Sequence, residues 1–155
     1  MTHQVYALKH VVREDSKDIR FVEQMQAEFE ISRQFTHPCL RRSYDLKIIK
    51  TMLLKVSEAF MVMELVDGKP LDVRPPTELV DICDTFIQAA QGLRGMHQMG
   101  YAHCDIKPNN IMVSSAGDFV LTDFGLTRAM FKSNMTSTTG AIMGTPPYMP
   151  PAIWN

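Results

Sequence analysis

A short polar loop set between apolar segments is the feature that most constrains the fold of this chain. The loop lies within AHCDIKPNNIMV, residues 102–113, and carries Asp105, Lys107 and Asn110 at offsets of zero, two and five. Taken alone, these are ordinary turn residues: an aspartate can cap a turn, and a lone lysine is usually a solvated surface side chain. The residues after the loop make a chemical role the stronger interpretation.

Two short apolar strands come next, predicted at 111–113 and 119–121 around the turn SSAG. A hairpin formed by them would bring Asp123 back beside the loop. Oxygen ligands from Asn110 and Asp123 would then converge, as magnesium requires, next to the carboxylate of Asp105. Magnesium ligands beside one unused carboxylate are the groups that phosphoryl transfer needs.

The rest of the pattern predicts a mixed α+β fold. Apolar runs predict strands at 5–12, 42–49 and 60–66, and periodicity predicts helices at 17–35 and 77–99. Thr77, just after two prolines, is predicted to cap the second helix. That helix carries an apolar stripe at steps of four, three, four and three, which predicts a core-facing surface: Ile82, Phe86, Ala89, Leu93 and Met96.

Composition narrows the class of protein. The 155 residues are 45% hydrophobic and 21% charged with a net charge of −1, so nothing favours nucleic acid as a partner. No apolar run reaches the roughly 18 residues of a membrane span, and the first residues lack a signal-peptide core. The three cysteines are scattered, without zinc-ligand spacing or a disulfide framework. We therefore expect a cytoplasmic protein with free thiols and no membrane segment.

A lysine and a glutamate upstream form a second candidate site. Lys9 lies mid-strand in an alternating pattern, and Glu28 follows nineteen residues later in the first predicted helix. If that helix crosses the strand, the two side chains can pair. The alternative is an exposed ion pair that contributes little.

Five segments together resemble the eukaryotic-type serine/threonine protein kinases. YALKHV resembles the strand of the phosphate-contacting lysine, FMVMELV the strand leading into the hinge, and HCDIKPNN the catalytic loop. DFG resembles the magnesium motif and GTPPYMPP the segment that closes the activation loop. The matches run from residue 5 to residue 152 in the family's order. The sequences of the catalytic loop and of the DFG segment resemble those of bacterial members of the family.

The resemblance implies roles for individual residues, with ATP and Mg²⁺ as cofactors and a protein serine or threonine as the acceptor. Asp105 and Lys107 would be catalytic, and Lys107 would also contact the transferred phosphate. Asn110 and Asp123 would hold the metal. Lys9 paired with Glu28, the gatekeeper Met63, and the hinge backbone from Glu64 to Val66 would bind ATP. Met63 is also expected to be a buried core residue, and His103 a packed structural histidine.

The implied fold is a protein-kinase-like bilobal fold in truncated form. Residues 1–66 would form the small lobe and hinge, and residues 67–155 the large lobe as far as the end of the activation segment. Only eight residues precede Lys9, and none resembles the glycine-rich loop. We therefore expect the central part of a kinase domain. Two other interpretations stay open: a pseudokinase or nucleotide-binding interaction module, and an inactive gene fragment.

Three residues depart from the family pattern. Cys104 stands where an arginine often meets an activation-loop phosphate, so we expect little dependence on phosphorylation at 136–139; its thiol is expected to be packed. Ala152 replaces a glutamate. Ser32, four residues after Glu28, occupies a place that is usually apolar.

Overall fold

The structure is a computed structural model that describes residues 4–15, 17–51, 55–130 and 144–149. It has the mixed α+β architecture that the sequence predicts. Within those ranges, no helix is both long and apolar enough to cross a membrane.

An antiparallel sheet and one helix form the first layer. Strand β3 (Val56–Glu64) lies in the middle, between β1 (Tyr6–Val12) and β2 (Ser43–Lys50). Helix α1 (Ile19–Ser32) covers the sheet and buries Val22 and Met25 against it. As the middle strand, β3 supplies three of the five buried residues of the apolar cluster in this layer: Ala59, Met61 and Met63.

The second part is built around the long helix α2 (Leu79–Gln98). Strand β4 (Gly68–Pro70) pairs with β6 (Ile111–Ser114), which pairs with β7 (Phe119–Leu121). A separate ladder joins β5 (Tyr101–Ala102) to β8 (Arg128–Ala129). Single 3₁₀ turns occupy Pro108–Asn110 and Pro146–Tyr148. Eight buried residues form one core among these elements: Phe35, Cys39, Leu40, Met96, Ile111, Phe119, Leu121 and Phe124.

Several predicted boundaries were wrong. Helix α1 is shorter than predicted at both ends, and β3 ends at Glu64 rather than Val66. Thr77 does not cap α2, because the capping position falls on Glu78, whose side chain makes no capping hydrogen bond. Cap and boundary positions depend on local backbone geometry, which periodicity does not determine.

The predicted stripe of α2 was wrong in part. Met96 is fully buried, but Phe86 is 66% exposed. The buried residues of the helix are Thr85, Gly92 and Met96. Gly92 explains this orientation, because a Cβ there would lie 3.2 Å from Cys39 and 3.3 Å from Leu121. Backbone contact at this glycine places Gly92 and Met96 on the core side of α2 and leaves Phe86 on the exposed side.

The chain presents two exposed apolar surfaces. One lies on α2, where Leu79, Val80, Phe86 and Ile87 are each more than half exposed and recur on one side of the helix. The other is β1, which pairs only with β3 in the described residues and exposes Leu8 by 60%. Exposed apolar faces and open strand edges both promote association.

We therefore expect the 155-residue chain to self-associate in a concentration-dependent way. Phe86→Lys should weaken the association and leave the melting temperature unchanged, because an exposed side chain contributes little to the core. Sedimentation velocity over a hundredfold concentration range is the measurement. Gln91→Lys, which adds the same charge at an exposed polar position of α2, is the control. A parent that stays monomeric throughout that range would contradict this expectation.

Candidate functional site

The predicted hairpin forms and brings its two ends together. Ile111 of β6 pairs with Leu121 of β7. Beyond this pair, Thr122 donates to the carbonyl of Asn110 from its amide at 2.9 Å and from its hydroxyl at 3.2 Å. Asp123 consequently lies directly beside the 105–110 loop, as the sequence predicted.

The carboxylate of Asp105 is held by three side chains. Lys107 Nζ lies 2.8 Å from Oδ2, and Asn110 Nδ2 donates to the same oxygen at 3.0 Å. Thr145 Oγ1 donates to Oδ1 at 2.6 Å and accepts from Lys107 Nζ at 2.9 Å. Asn110 also donates to the backbone carbonyl of Asp105 at 2.9 Å. The carboxylate, which is buried, is therefore fixed in orientation through both of its oxygens.

These contacts set the protonation state of Asp105. Burial raises the pKa of Asp105, but the hydrogen bonds from Lys107, Thr145 and Asn110 and the charge of Lys107 outweigh it, so that the pKa lies below its usual value. Asp105 is consequently ionised at neutral pH. An ionised, oriented carboxylate can accept a hydrogen bond, or a proton, from a hydroxyl group.

His103 supports this loop from below. It is 2% exposed, and its Nδ1 accepts from the amide of Asp105 at 3.3 Å. The neutral ring then carries its proton on Nε2, which faces the carbonyl of Thr122 at 3.2 Å. Burial lowers the pKa of His103, which keeps the ring neutral. The prediction of a packed, structural histidine is confirmed.

Lys9 links the first layer to the hairpin. Its Nζ lies 2.6 Å from Glu28 Oε2 and 3.8 Å from Asp123 Oδ1. The predicted helix crossing therefore exists, and Glu28 is buried at 1% exposure instead of lying in a solvated surface pair. Strand alternation explains this arrangement, since Lys9 shares the α1-facing side of β1 with Ala7 and Val11.

The residues of the DFG segment divide between the core and the solvent-accessible surface. Phe124 is 2% exposed, and its ring packs 4.7 Å from that of Phe35 and 5.4 Å from that of His103. Asp123 has a positive φ of 59° and a side chain 47% exposed. The positive φ at Asp123 thus directs the ring of Phe124 into the core and leaves the carboxylate of Asp123 accessible to solvent.

The residues predicted to form the hinge lie at the end of β3 and just beyond it. Met63 is 5% exposed and pairs with Ala7, two residues from Lys9 along β1, which confirms its place in the core. Glu64 is the last residue of the strand, and its amide donates to the carbonyl of Arg42 at 2.9 Å. Val66 lies outside the strand, and its carbonyl accepts from the amide of Gly68 at 2.9 Å. The predicted hinge thus begins a few residues from the Lys9–Glu28 pair.

The described contacts form two clusters, Lys9 with Glu28 and Asp123, and Asp105 with Lys107 and Asn110. The β6–β7 hairpin joins them. Sequence reasoning missed Thr145, which bonds Asp105 from 40 residues away and Lys107 from 38 residues away. The GTPP segment was the available signal, but nothing in its spacing identified the threonine as a partner of the loop.

Cys104 is not packed as expected. The residue is exposed, with a positive φ of 65°, and its Sγ lies 3.5 Å from the carbonyl of Ala102. Partial burial of the sulfur raises its pKa despite the positive charge of Arg128, so the thiol stays protonated at neutral pH. A neutral thiol offers no charge to a phosphate.

We therefore keep the expectation that phosphorylation at 136–139 matters little. In a completed kinase domain, alanine at all four positions, Thr136, Ser137, Thr138 and Thr139, should lower the phosphorylation rate of a basic peptide by far less than a hundredfold, which would be roughly 2.7 kcal/mol. A loss of that size would contradict the prediction. These four residues, like Ala152, lie outside the described part of the chain.

Comparison with known proteins places the chain in a family. The profile described as protein kinase domain matches residues 1–154. The chain belongs to the protein kinase family. Within this family it is similar to the serine/threonine-protein kinase PknA of Mycobacterium tuberculosis, at 33% identity over 149 residues, covering 94% of this chain and 34% of that protein.

Two further relatives are also serine/threonine-protein kinases by name. PknB of Mycobacterium leprae is 31% identical, covering 96% of this chain and 24% of the relative. PknL of Mycobacterium tuberculosis is 39% identical over 99 residues, covering 59% of this chain and 24% of the relative. This kinase-family chain thus spans about a third or less of the length of these curated relatives.

Proposed function

We propose that the chain carries the catalytic centre of a serine/threonine protein kinase, which transfers the γ-phosphate of ATP to a hydroxyl group of a protein. One observation carries the proposal. The ionised carboxylate of Asp105 is held by Lys107, Asn110 and Thr145 at the mouth of a hairpin that also presents Asp123. A charged carboxylate held this firmly suits the orientation of an acceptor hydroxyl better than it suits a structural turn.

In this proposal Asp105 orients the attacking hydroxyl and accepts its proton as the oxygen–phosphorus bond forms and the bond to the β-phosphate oxygen breaks. Lys107, beside it, neutralises charge on the transferred phosphoryl group. Most of the catalytic effect of such a centre comes from position and electrostatics, with little covalent chemistry from the protein.

Asn110 and Asp123 are the proposed ligands of Mg²⁺. Asn110 uses its amide nitrogen on Asp105, so its amide oxygen faces elsewhere as an acceptor, and the carboxylate of Asp123 is accessible. No group of three or more His, Cys, Asp or Glu residues arranged to hold a metal occurs in the described ranges. This fits Mg²⁺, which takes few protein ligands and completes its shell with phosphate and water oxygens. Bound there, it would neutralise phosphate charge.

ATP is proposed to lie along the sheet edge between the two clusters. Lys9, fixed by Glu28, would contact the α- and β-phosphates, and Met63 with the backbone from Glu64 to Val66 would enclose the adenine.

We propose the division into a small lobe at 1–66 and a large lobe at 67–155 on the same grounds. The three free cysteines and the use of ATP favour the cytoplasm.

The experiment uses a hybrid kinase, defined as PknA of Mycobacterium tuberculosis with this chain in place of the segment that it matches. We expect the hybrid to phosphorylate serine or threonine, but not tyrosine, in a basic peptide that contains all three. Phosphoamino-acid analysis reads the outcome. Phosphotyrosine as the main product would contradict the class of kinase proposed.

Replacing Asp123 with asparagine in the hybrid kinase should lower turnover by at least a hundredfold and raise the magnesium concentration needed for half-maximal rate. The reason is that the substitution removes one charged metal ligand and keeps the side-chain shape. Magnesium titration of the phosphorylation rate is the measurement. Asp118→Asn, at an exposed turn, is the matched control, and equal magnesium curves for the two variants would remove Asp123 from the metal site.

A further inference from the structure

Two buried serines face each other between helix α1 and the sheet. Ser32 is 1% exposed and Ser43 is 3% exposed, and their Oγ atoms are 2.6 Å apart. Ser32 is the last residue of α1, and Ser43 is the first of β2. A hydroxyl pair at this depth is directional, whereas an apolar contact would tolerate sliding and rotation of the helix.

The pair is part of a short network. Ser32 Oγ lies 2.8 Å from the backbone carbonyl of Glu28, and Ser43 Oγ lies 3.5 Å from Met61 Sδ in the central strand. The two hydroxyl groups carry one proton each, and these two protons are shared among the three contacts. Because one end of the network is the carbonyl of Glu28, the network connects Ser43 of the sheet to the residue that holds Lys9.

In the described residues, two polar side chains of helix α1 form hydrogen bonds with side chains of the sheet. Glu28 bonds Lys9 on the edge strand β1, and Ser32 bonds Ser43 on the opposite edge strand β2. Glu28 and Ser32 lie one helical turn apart on α1. Neither end of α1 has a side-chain cap hydrogen bond, and the side chain of Asp18 at its start accepts from the amides of Glu14 and Asp15 in the preceding loop, not from the helix. With both hydrogen bonds made, a rotation of the helix about its axis would break at least one of them.

We propose that the Ser32–Ser43 hydroxyl pair is a positioning device that fixes α1 across the sheet and thereby sets the Lys9–Glu28 pair in the nucleotide site. The effect on ATP rests on the proposed function; the effect on the helix does not. The pair replaces the apolar contact that the family resemblance led us to expect at Ser32.

The test compares Ser32→Thr with Ser32→Val in the 155-residue chain at low micromolar concentration. The two side chains have the same shape and crowd the site equally, so their difference reports the hydroxyl alone. Hydrogen–deuterium exchange of the α1 amides is the readout. We expect exchange about fivefold faster in the valine variant, as the loss of one net hydrogen bond predicts.

Two further variants protect the test. Ser43→Ala, a smaller change, should also accelerate exchange in α1 and should add little to Ser32→Val, because both break the same bond. Thr85→Val removes a similar buried hydroxyl, bonded to the carbonyl of Asp81 at 2.7 Å, from helix α2. It should leave α1 unchanged.

ATP affinity of the hybrid kinase gives the functional readout. Ser32→Val should weaken ATP binding about fivefold relative to Ser32→Thr, and the difference should vanish in a Glu28→Gln background. The proposal would be overturned if the α1 amides exchange equally fast in the Ser32→Thr and Ser32→Val variants. It would also be overturned if the α1 amides of the parent chain show no protection from exchange. A parent hybrid that does not bind ATP would overturn the proposed function, and exchange would still decide the role of the serines.

Discussion

Asp105→Asn is expected to lower the phosphorylation rate of the hybrid kinase about a thousandfold, within the range typical of general acid–base groups. The substitution keeps the size of the side chain and removes its charge. The acceptor hydroxyl then loses the group that orients it and takes its proton. ATP affinity should stay within about twofold of the parent, because the proposed site places the carboxylate of Asp105 against the acceptor hydroxyl and not against ATP.

Peptide phosphorylation and ATP binding should be measured on the same preparations, with Asp118→Asn as the matched control. The carboxylate of Asp118 is exposed and bonds Ser114 within the turn. If Asp105→Asn phosphorylates as fast as the parent, the carboxylate has no part in the reaction. If it unfolds, the comparison moves to Asp105→Glu, which keeps the charge, displaces it, and should also lose most of the rate.

The second large effect is expected at Lys9. Lys9→Met should weaken ATP binding at least tenfold and should also destabilise the protein, because Glu28, at 1% exposure, is left as an unpaired buried carboxylate. The side chain of Lys9 is 35% exposed. We therefore expect a loss of about 2 kcal/mol, less than the roughly 3–5 kcal/mol seen when a fully buried pair is broken.

A double variant separates the two effects. Lys9→Met with Glu28→Leu removes both charges and should recover most of the stability, since an apolar pair of similar volume can replace a buried ion pair. It should not recover ATP affinity. Urea unfolding and ATP titration give the two readouts. Recovery of both in the double variant would show that the pair is structural and has no role toward the phosphates.

Local spacing was sufficient to predict the hairpin and the residues that it brings together. The β6–β7 pairing, the approach of Asp123 to the loop, and the crossing of α1 over Lys9 all depend on short separations or strand alternation. The fold class followed because the apolar runs have strand and helix lengths. These features are encoded within about twenty residues of the site they build.

Features that depend on long-range packing could not be predicted. The orientation of α2 is set by the contact of Gly92 with Cys39 and Leu121, which its own periodicity does not contain. Thr145 reaches Asp105 across 40 residues, and Ser43 reaches Ser32 across a chain reversal. The sequence flagged Ser32 as unusual, yet only the structure supplies the second hydroxyl that satisfies it.

The most direct test of the central claim is the magnesium-dependent transfer of labelled γ-phosphate from ATP to a serine-containing basic peptide by the hybrid kinase, with ATP affinity measured alongside. We predict a measurable rate in the parent hybrid, lost in Asp105→Asn, with both proteins binding ATP equally well. A hybrid that folds and binds ATP but transfers no phosphate would contradict the kinase assignment. That result would instead identify the segment as a nucleotide-binding module.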